Sequence, residues 1–445
     1  MDIPNAAETL AQTKALVASA PRASGSATGF AMRRVGSPAQ HRQKHRGLDR
    51  DGSITFKQQS VSQLELNIQR GIRAIVEYAR IESRQSTSKE DVLTPADCNQ
   101  VYRVRIPADE EVHGDFTSKS HAPRAFRYVR KVLRVNDEDF VDSICDHPLV
   151  MLKTPGKSGA VFFRSTDGRY LLKTVSKGES KFFLSVLYDY AQHVREMTQE
   201  HKLRTLLPHF YELIHIDTPA GRNIRLVIMN NLTPLNIGIH ESFDFKGSWV
   251  GRWTREEEAG KAGVTLKDLD ATHALQCSTA DRELVADQLR LDSAWLEAHG
   301  VIDYSLLCLH HYPARPVSRD GSGGFAPASS APSIGVEQPC CSSGGGGSGI
   351  RGVSQSIRAT SASEQVVVHY GIIDIMQSWR LFKRAEHLIK AIRYPTQSAG
   401  VSVTDPHSYA RRFREKLIAR FESSDRPPPQ AQSTDAAPEI EFLTV

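Results

Sequence analysis

The segment Ser158-Gly-Ala-Val-Phe-Phe-Arg-Ser-Thr-Asp-Gly-Arg-Tyr-Leu-Leu-Lys173-Thr174 is the one from which the rest of the chain can be read. Two β-rich runs, Ala160-Val-Phe-Phe163 and Tyr170-Leu-Leu-Lys173, flank Ser165-Thr-Asp-Gly168, whose Asp-Gly pair suits a hairpin turn. A turn of small residues, here Ser158 and Gly159, can lie over phosphates. A lysine alternating out of the next strand, here Lys173, can pair with them as a point charge.

Outward from this hairpin the pattern mixes helix and strand. Leu64, Ile68, Ile72, Ile75 and Ala79 recur three or four apart and predict a helix over residues 61–80. A second helix is predicted over Ala125 to Leu133 and a basic one near Tyr409 to Phe421. Strands are predicted at Val101 to Ile106, Ile224 to Met229 and Gln365 to Ile373. Residues 1–48 and 422–445 read as disordered tails around a domain of residues 60–421. Residues 313–364 hold 12 Ser, 10 Gly and 5 Pro in 52 positions and read as a disordered insert, because that composition buries too little apolar surface to order itself.

Subtracting that insert brings Ile302-Asp303 and Ile373-Asp374 within 19 residues, so two acidic strand ends can lie side by side. Asp374 has Ile372, Ile373 and Ile375 as neighbours, and an acid in an apolar strand is costly unless it is hydrogen-bonded or holds a cation. Asp244, in Asp244-Phe-Lys-Gly-Ser248, is a third candidate. Magnesium needs few protein carboxylates and completes its shell with water and phosphate oxygens.

Several classes are excluded or disfavoured. With 445 residues, 40% hydrophobic and 24% charged, the chain can fold around a core. A net charge of +5 does not indicate nucleic acid, and no apolar run is long enough to span a membrane. The six cysteines form no CxxC pair or regular framework, which fits a reduced, cytosolic compartment. Gly156-Lys157-Ser158 lacks the first glycine of a phosphate-binding loop, since position 151 is Met. Asp49 to Ile54 lacks both essential carboxylates of a calcium loop.

At these residues the chain resembles the phosphatidylinositol phosphate kinases, from about residue 60 to 421 with the insert set aside. The glycine-loop hairpin and ATP lysine of that family resemble Ser158 to Lys173, and its hinge resembles Arg225-Leu-Val-Ile-Met-Asn-Asn-Leu232. Its Asp-Leu-Lys-Gly-Ser signature matches Asp244 to Ser248. Its Met-Asp-Tyr-Ser-Leu-Leu matches Ile302 to Leu307, and its magnesium strand matches Ile372-Ile-Asp374. Arg204 to Pro208 and Thr265 to Asp270 match further blocks.

The resemblance implies a two-lobed α+β kinase-like fold: an antiparallel N-lobe sheet, an ATP cleft, and a smaller C-lobe with a flat basic membrane face. It implies ATP bound by Ser158, Gly159, Lys173, Met229, Asn230, Asn231 and Leu232, and Mg2+ held by Asp374. Asp303 would be the catalytic aspartate, with Lys246 and Asp244 beside it. Among the departures, Ala160 stands where the loop usually has a second serine and Phe245 replaces a leucine. Lys181 replaces an acid, which leaves Glu179 as the expected ion-pair partner of Lys173.

After the magnesium strand come Arg380, Lys383, Arg384, Lys390 and Arg393 with apolar residues interleaved, a pattern suited to an anionic membrane. Glu386 resembles the specificity acid of the type I enzymes. The substrate implied is phosphatidylinositol 4-phosphate, phosphorylated on its 5-hydroxyl by an enzyme peripheral on the cytosolic face of the plasma membrane. A phosphatidylinositol 5-phosphate 4-kinase and a catalytically weak phosphoinositide-binding scaffold stay open, as do a homodimer and regulatory protein partners.

Overall fold

The structure, a computed structural model, describes residues 46–48, 54–56, 59–85, 92–109, 114–152, 160–217, 223–234, 237–258, 261, 263–316, 355–379 and 405–424. The fold is α+β and two-lobed. Three short strands, β1 (Arg46–Leu48), β2 (Ile54–Phe56) and β3 (Gln59–Ser60), lead into helix α1 (Val61–Gln85). Leu64, Ile68, Ile72 and Ile75 of α1 are fully buried, as their spacing predicts.

The first lobe continues with β4 (Val101–Ile106), β5 (Phe116–His121), α2 (Pro123–Val132), α3 (Asp137–Cys145), β6 (Val150–Leu152), β7 (Phe162–Arg164) and β8 (Tyr170–Thr174). It ends with α4 (Lys177–Gln199), β9 (Phe210–Asp217) and β10 (Ile224–Asn230). The strands make one antiparallel sheet in the order β4-β5-β9-β10-β8-β7-β6. One face of the sheet packs on α1 and α3 through Phe163, Leu172, Ile214, Leu226 and Ile228. The other presents Leu213 and Val227 to α2 and α4. The helix starts are chemically marked. Asn136 accepts from the Glu138 and Asp139 amides, ahead of three acids that suit a helix N-terminus. Ser176 and Glu179 form a capping box on α4.

The second lobe holds β11 (Glu241–Phe245), β12 (Thr265–Lys267), β13 (Leu275–Cys277), α5 (Thr279–Ala298), β14 (Ser305–His311), β15 (Gln355–Ser361), β16 (Glu364–Ile373), α6 (Pro406–Ile418) and β17 (Phe421–Ser423). Its seven strands run β12-β11-β14-β16-β15-β13-β17, with parallel pairs at both edges. Phe243, Leu306, Cys308, Val368, Tyr370 and Ile372 bury one face against α5 and α6. That core is continuous with Phe183, Leu187 and Tyr190 of α4, so a single apolar body joins the lobes.

A polar lock sits inside this joint. Asp292 of α5, fully buried, accepts from His193 Nε2 of α4 (2.6 Å), Thr205 Oγ1 (2.7 Å) and the Leu206 amide (2.5 Å). The Leu206 carbonyl in turn accepts from the Ile372 amide at 2.7 Å.

Several boundaries differ from the sequence reading. The insert is narrower than residues 313–364: Gln355–Ser361 is strand β15, because Ile357 and Ala359 alternate inward within a Ser-rich stretch. Arg315 and Glu364, at its two flanks, form a two-point ion pair of 2.7 and 3.1 Å. β14 and β15 both run antiparallel to β16, one on each side, so they are parallel to each other. The chain between them is therefore a crossover rather than a hairpin loop. β1 lies within residues 1–48, and β17 pairs with β13 inside residues 422–445 because Phe421 is buried against Tyr370. The basic helix ends at Ile418, and β7 lies two residues later than the predicted Ala160 to Phe163 run.

Parallel neighbours need a crossover of about a dozen residues or more. Replacing residues 317–354 with a Gly/Ser linker of roughly 15 residues is expected to preserve folding, since loop closure changes by only about 1 kcal/mol. Removing Pro313–Glu364 takes β15 with it and is expected to give insoluble protein. Expression and thermal melts of both variants check this. Asp292→Ala leaves His193, Thr205 and the Leu206 amide without their acceptor, and is expected to destabilise by about 3–5 kcal/mol in denaturant titrations.

Candidate active site

Two acids meet where β14 begins and β16 ends. Ser305 pairs with Ile373, so Asp303 and Asp374 flank the same end of the sheet. The adjoining segments are clamped by a Val301–Ser378 bridge, by Ile302 N donating to Gln377 O (3.1 Å) and by Trp379 N donating to Gly300 O (2.9 Å). Both acids adopt left-handed backbone, with φ of 65° at Asp303 and 63° at Asp374. Such conformations persist where surrounding structure enforces them, often at functional sites.

Each acid is met by a lysine from a different element. Lys246 Nζ, just beyond β11, donates to Asp303 Oδ1 (2.6 Å) and to the Asp303 carbonyl (2.9 Å). Lys173 Nζ, from β8 of the first lobe, donates to Asp374 Oδ1 (2.8 Å) and lies 5.5 Å from the centre of the Phe162 ring. Burial alone would raise the Asp374 carboxyl. The Lys173 ammonium, with Lys246 further off, outweighs that and holds it below the usual carboxylate range. Half of the Asp374 side chain is exposed, so this pair adds little stability. Its effect is positional: it ties the first sheet to the acidic end of the second.

The expectation that Glu179 pairs with Lys173 does not hold. Glu179 Oε2 accepts from the Ser176 amide at 2.7 Å and is committed to capping α4. Nor does Asp374 lie inside an apolar strand. β16 ends at Ile373, and Asp374 turns outward in its left-handed conformation.

The loop bearing Lys246 is held by an acid to which the sequence reading gave no role. Asp268 accepts from the amides of Lys246 (3.0 Å) and Gly247 (2.7 Å) and from Arg252 Nε (2.7 Å). Arg252 also reaches the Asp244 carbonyl and its Oδ1 (3.1 Å). Asp244 therefore anchors Arg252. Gly247 has a φ of 65°, and a Cβ there would lie 3.1 Å from both the Arg412 carbonyl and Phe413 Cα of α6. Only glycine lets the loop approach that helix so closely. The sequence signal for Asp268 was the Asp268/Asp270 pair closing a short β-run. Asp270 itself accepts from the Thr254 and Lys267 amides.

The segment connecting the lobes has its own order. Met229 pairs with Leu171, and Leu232 packs so tightly on Gly371 that a Cβ there would come within 2.8 Å. Asn230 Oδ1 accepts from the His209 amide (2.9 Å), and Asn231 Nδ2 donates to the carbonyls of Gly168 (2.8 Å) and Thr233 (2.9 Å). These amides shape the connection internally and leave Met229 and Leu232 as its apolar surface. Ser158, Gly159, Arg380, Lys383, Arg384, Glu386, Lys390 and Arg393 lie outside the described residues.

Two carboxylates at one sheet end, with lysines opposite, form a hard-oxygen donor set. It fits a magnesium ion that keeps its waters and shares phosphate oxygens. No cluster of three His, Cys, Asp or Glu suited to a metal occurs among the described residues.

The family described as phosphatidylinositol-4-phosphate 5-kinase matches residues 143–419. The chain is 31% identical over 391 residues to the mouse phosphatidylinositol 4-phosphate 5-kinase type-1 alpha, covering 83% of this chain and 69% of that one. The human type-1 beta enzyme is 32% identical over 389 residues, covering 82% and 69%. The chicken type-1 beta enzyme is 33% identical over 323 residues, covering 69% and 58%. By this match over more than half of its residues and these identities, the chain belongs to the phosphatidylinositol-4-phosphate 5-kinase family.

Proposed function

We propose that this chain transfers the γ-phosphoryl group of ATP, with Mg2+, to the 5-hydroxyl of phosphatidylinositol 4-phosphate, giving the 4,5-bisphosphate. The observation that carries the reading is the double lysine–carboxylate pairing, Lys173–Asp374 across the lobes and Lys246–Asp303 within the second. The choice of the 5-hydroxyl rests on the names of the type-1 relatives and on Glu386.

In this mechanism Lys173 would neutralise nucleotide phosphate, and Asp374, which it pairs with here, is the residue that would hold Mg2+. The metal supplies charge neutralisation at the phosphoryl oxygens. Asp303, oriented by the Lys246 ammonium, accepts the proton of the attacking hydroxyl as the oxygen–phosphorus bond forms and ADP departs. Lys246 then faces the phosphoryl oxygens as their charge develops. Asp268 positions Lys246 through the backbone and touches no reactant. Arg380, Lys383, Arg384, Lys390 and Arg393 would hold the enzyme on the cytosolic face of an anionic membrane such as the plasma membrane.

Labelled ATP with vesicles of each monophosphoinositide, and the product's ring position resolved, tests the substrate. Turnover of the 4-phosphate to the 4,5-bisphosphate is expected, with Glu386→Ala shifting preference toward the 5-phosphate. Preferred turnover of the 5-phosphate by the natural sequence would overturn the assignment.

Asp374→Asn tests the chemistry, because asparagine tolerates left-handed backbone and keeps the shape of the side chain. Turnover is expected to fall on the order of 10²–10³-fold, with the melting temperature nearly unchanged. Lys173→Ala should raise the KM for ATP and lower kcat. Near-normal kinetics in either variant would refute that residue's role.

A further inference from the structure

Lys246 is followed three residues later by Trp249, which is 38% exposed, and then by Trp253, 55% exposed. Leu269, across the same loop, is 51% exposed. Large apolar side chains displayed together on a surface usually mark a contact. By contrast, Trp295 is 9% exposed and packs in the core.

The display is rigid. Arg252 N donates to Trp249 O (3.3 Å), and Leu269 N donates to Arg252 O (2.9 Å), which sets Leu269 against the turn that carries both indoles. The Arg252 guanidinium is fixed by Asp268 and Asp244. The same Asp268 receives the Lys246 and Gly247 amides. One buried acid thus fixes both the lysine facing Asp303 and the exposed aromatic loop.

The charges nearby do not favour an anionic surface. Arg255, Lys261 and Lys267 are matched by Glu256, Glu257 and Glu258 along the same loop. What remains is amphipathic: indole rings with a polar edge, which settle at the headgroup–acyl boundary of a bilayer.

We propose that Trp249, Trp253 and Leu269 form an interfacial wedge that enters the headgroup–acyl boundary of a lipid bilayer and seats the Lys246–Asp303 end of the sheet on it. The occupant is a bilayer rather than a protein because, on the lipid-kinase reading on which this inference rests, that end must meet a headgroup still held in its membrane. The wedge lies three residues from Lys246. It differs from the basic stretch after β16 in drawing on apolar contact, so salt should not weaken it.

The test uses the full chain and phosphatidylcholine vesicles with a few per cent of monophosphoinositide. Tryptophan emission should shift to the blue on binding and be quenched by brominated acyl chains. Trp249→Ala/Trp253→Ala should lose most of that response and bind vesicles on the order of tenfold more weakly per indole removed. The loss should be equal at low and high salt. Turnover of a short-chain, water-soluble phosphoinositide by the double variant should match the natural sequence, while turnover on vesicles falls.

Equal vesicle binding by the double variant would overturn the wedge. So would emission insensitive to brominated lipid, or a blue shift that appears without lipid as protein concentration rises, the mark of a second copy as occupant. Failure of the natural sequence to phosphorylate the soluble lipid would instead overturn the kinase reading, while the quenching measurement still reports on the wedge.

Discussion

A single buried carboxylate, Asp292, sets where the two lobes stand. It satisfies His193 from α4 and Thr205 and Leu206 from the segment between α4 and β9, all within 2.7 Å. Leu206 then passes the constraint on through its carbonyl to Ile372, two residues before Asp374. The distance between Lys173 on one sheet and Asp374 on the other is thereby fixed by contacts remote from both. A buried acid of this kind is costly to desolvate, and three hydrogen bonds offset that cost. The apolar core on either side supplies stability, and the acid supplies position.

The same division of labour recurs at Asp268. Neither Asp268 nor Asp292 faces the place where the reacting groups would meet, yet each holds the backbone of a segment tied to one of them: Asp268 the Lys246 and Gly247 amides, and Asp292 the Leu206 amide. Arg252, held between Asp244 and Asp268, keeps the loop after β11 from swinging, and Gly247 lets it lie on α6 without a clash. Lys246 thus arrives at Asp303 on a scaffold already satisfied, so little order remains to be imposed when a substrate enters.

Much of this was legible in the sequence where the signal was local. The stripe from Leu64 to Ile75, the Asp-Gly turn of the β7–β8 hairpin and the apolar run of β16 each show their periodicity directly. Asp303 and Asp374 could be brought together by setting aside a stretch of aberrant composition. What composition blurred was the edge of that stretch, because β15 carries only Ile357 and Ala359 as its inward residues among serines. Asp292 occupies the apolar stripe of Val285, Leu289 and Leu296, a sign of a buried acceptor, but its partners lie 86 to 99 residues away and no spacing identifies them. Glu179 had two chemically sound uses, and the local one, capping its own helix, prevailed.

The crossover between β14 and β15 also dictates an order of events during folding. β15 and β16 are joined by Ala362 and Ser363, both in left-handed backbone, a tight turn that can close on its own within microseconds. β14 must find the far edge of that hairpin across a long separation in sequence, a slower and entropically dearer encounter. Asp303 meets Asp374 only when that encounter succeeds. A newly made chain can therefore hold a correctly paired β15–β16 hairpin, with Asp374 at its end, and still have no site. Whatever speeds or hinders the docking of one strand governs how soon the molecule becomes competent.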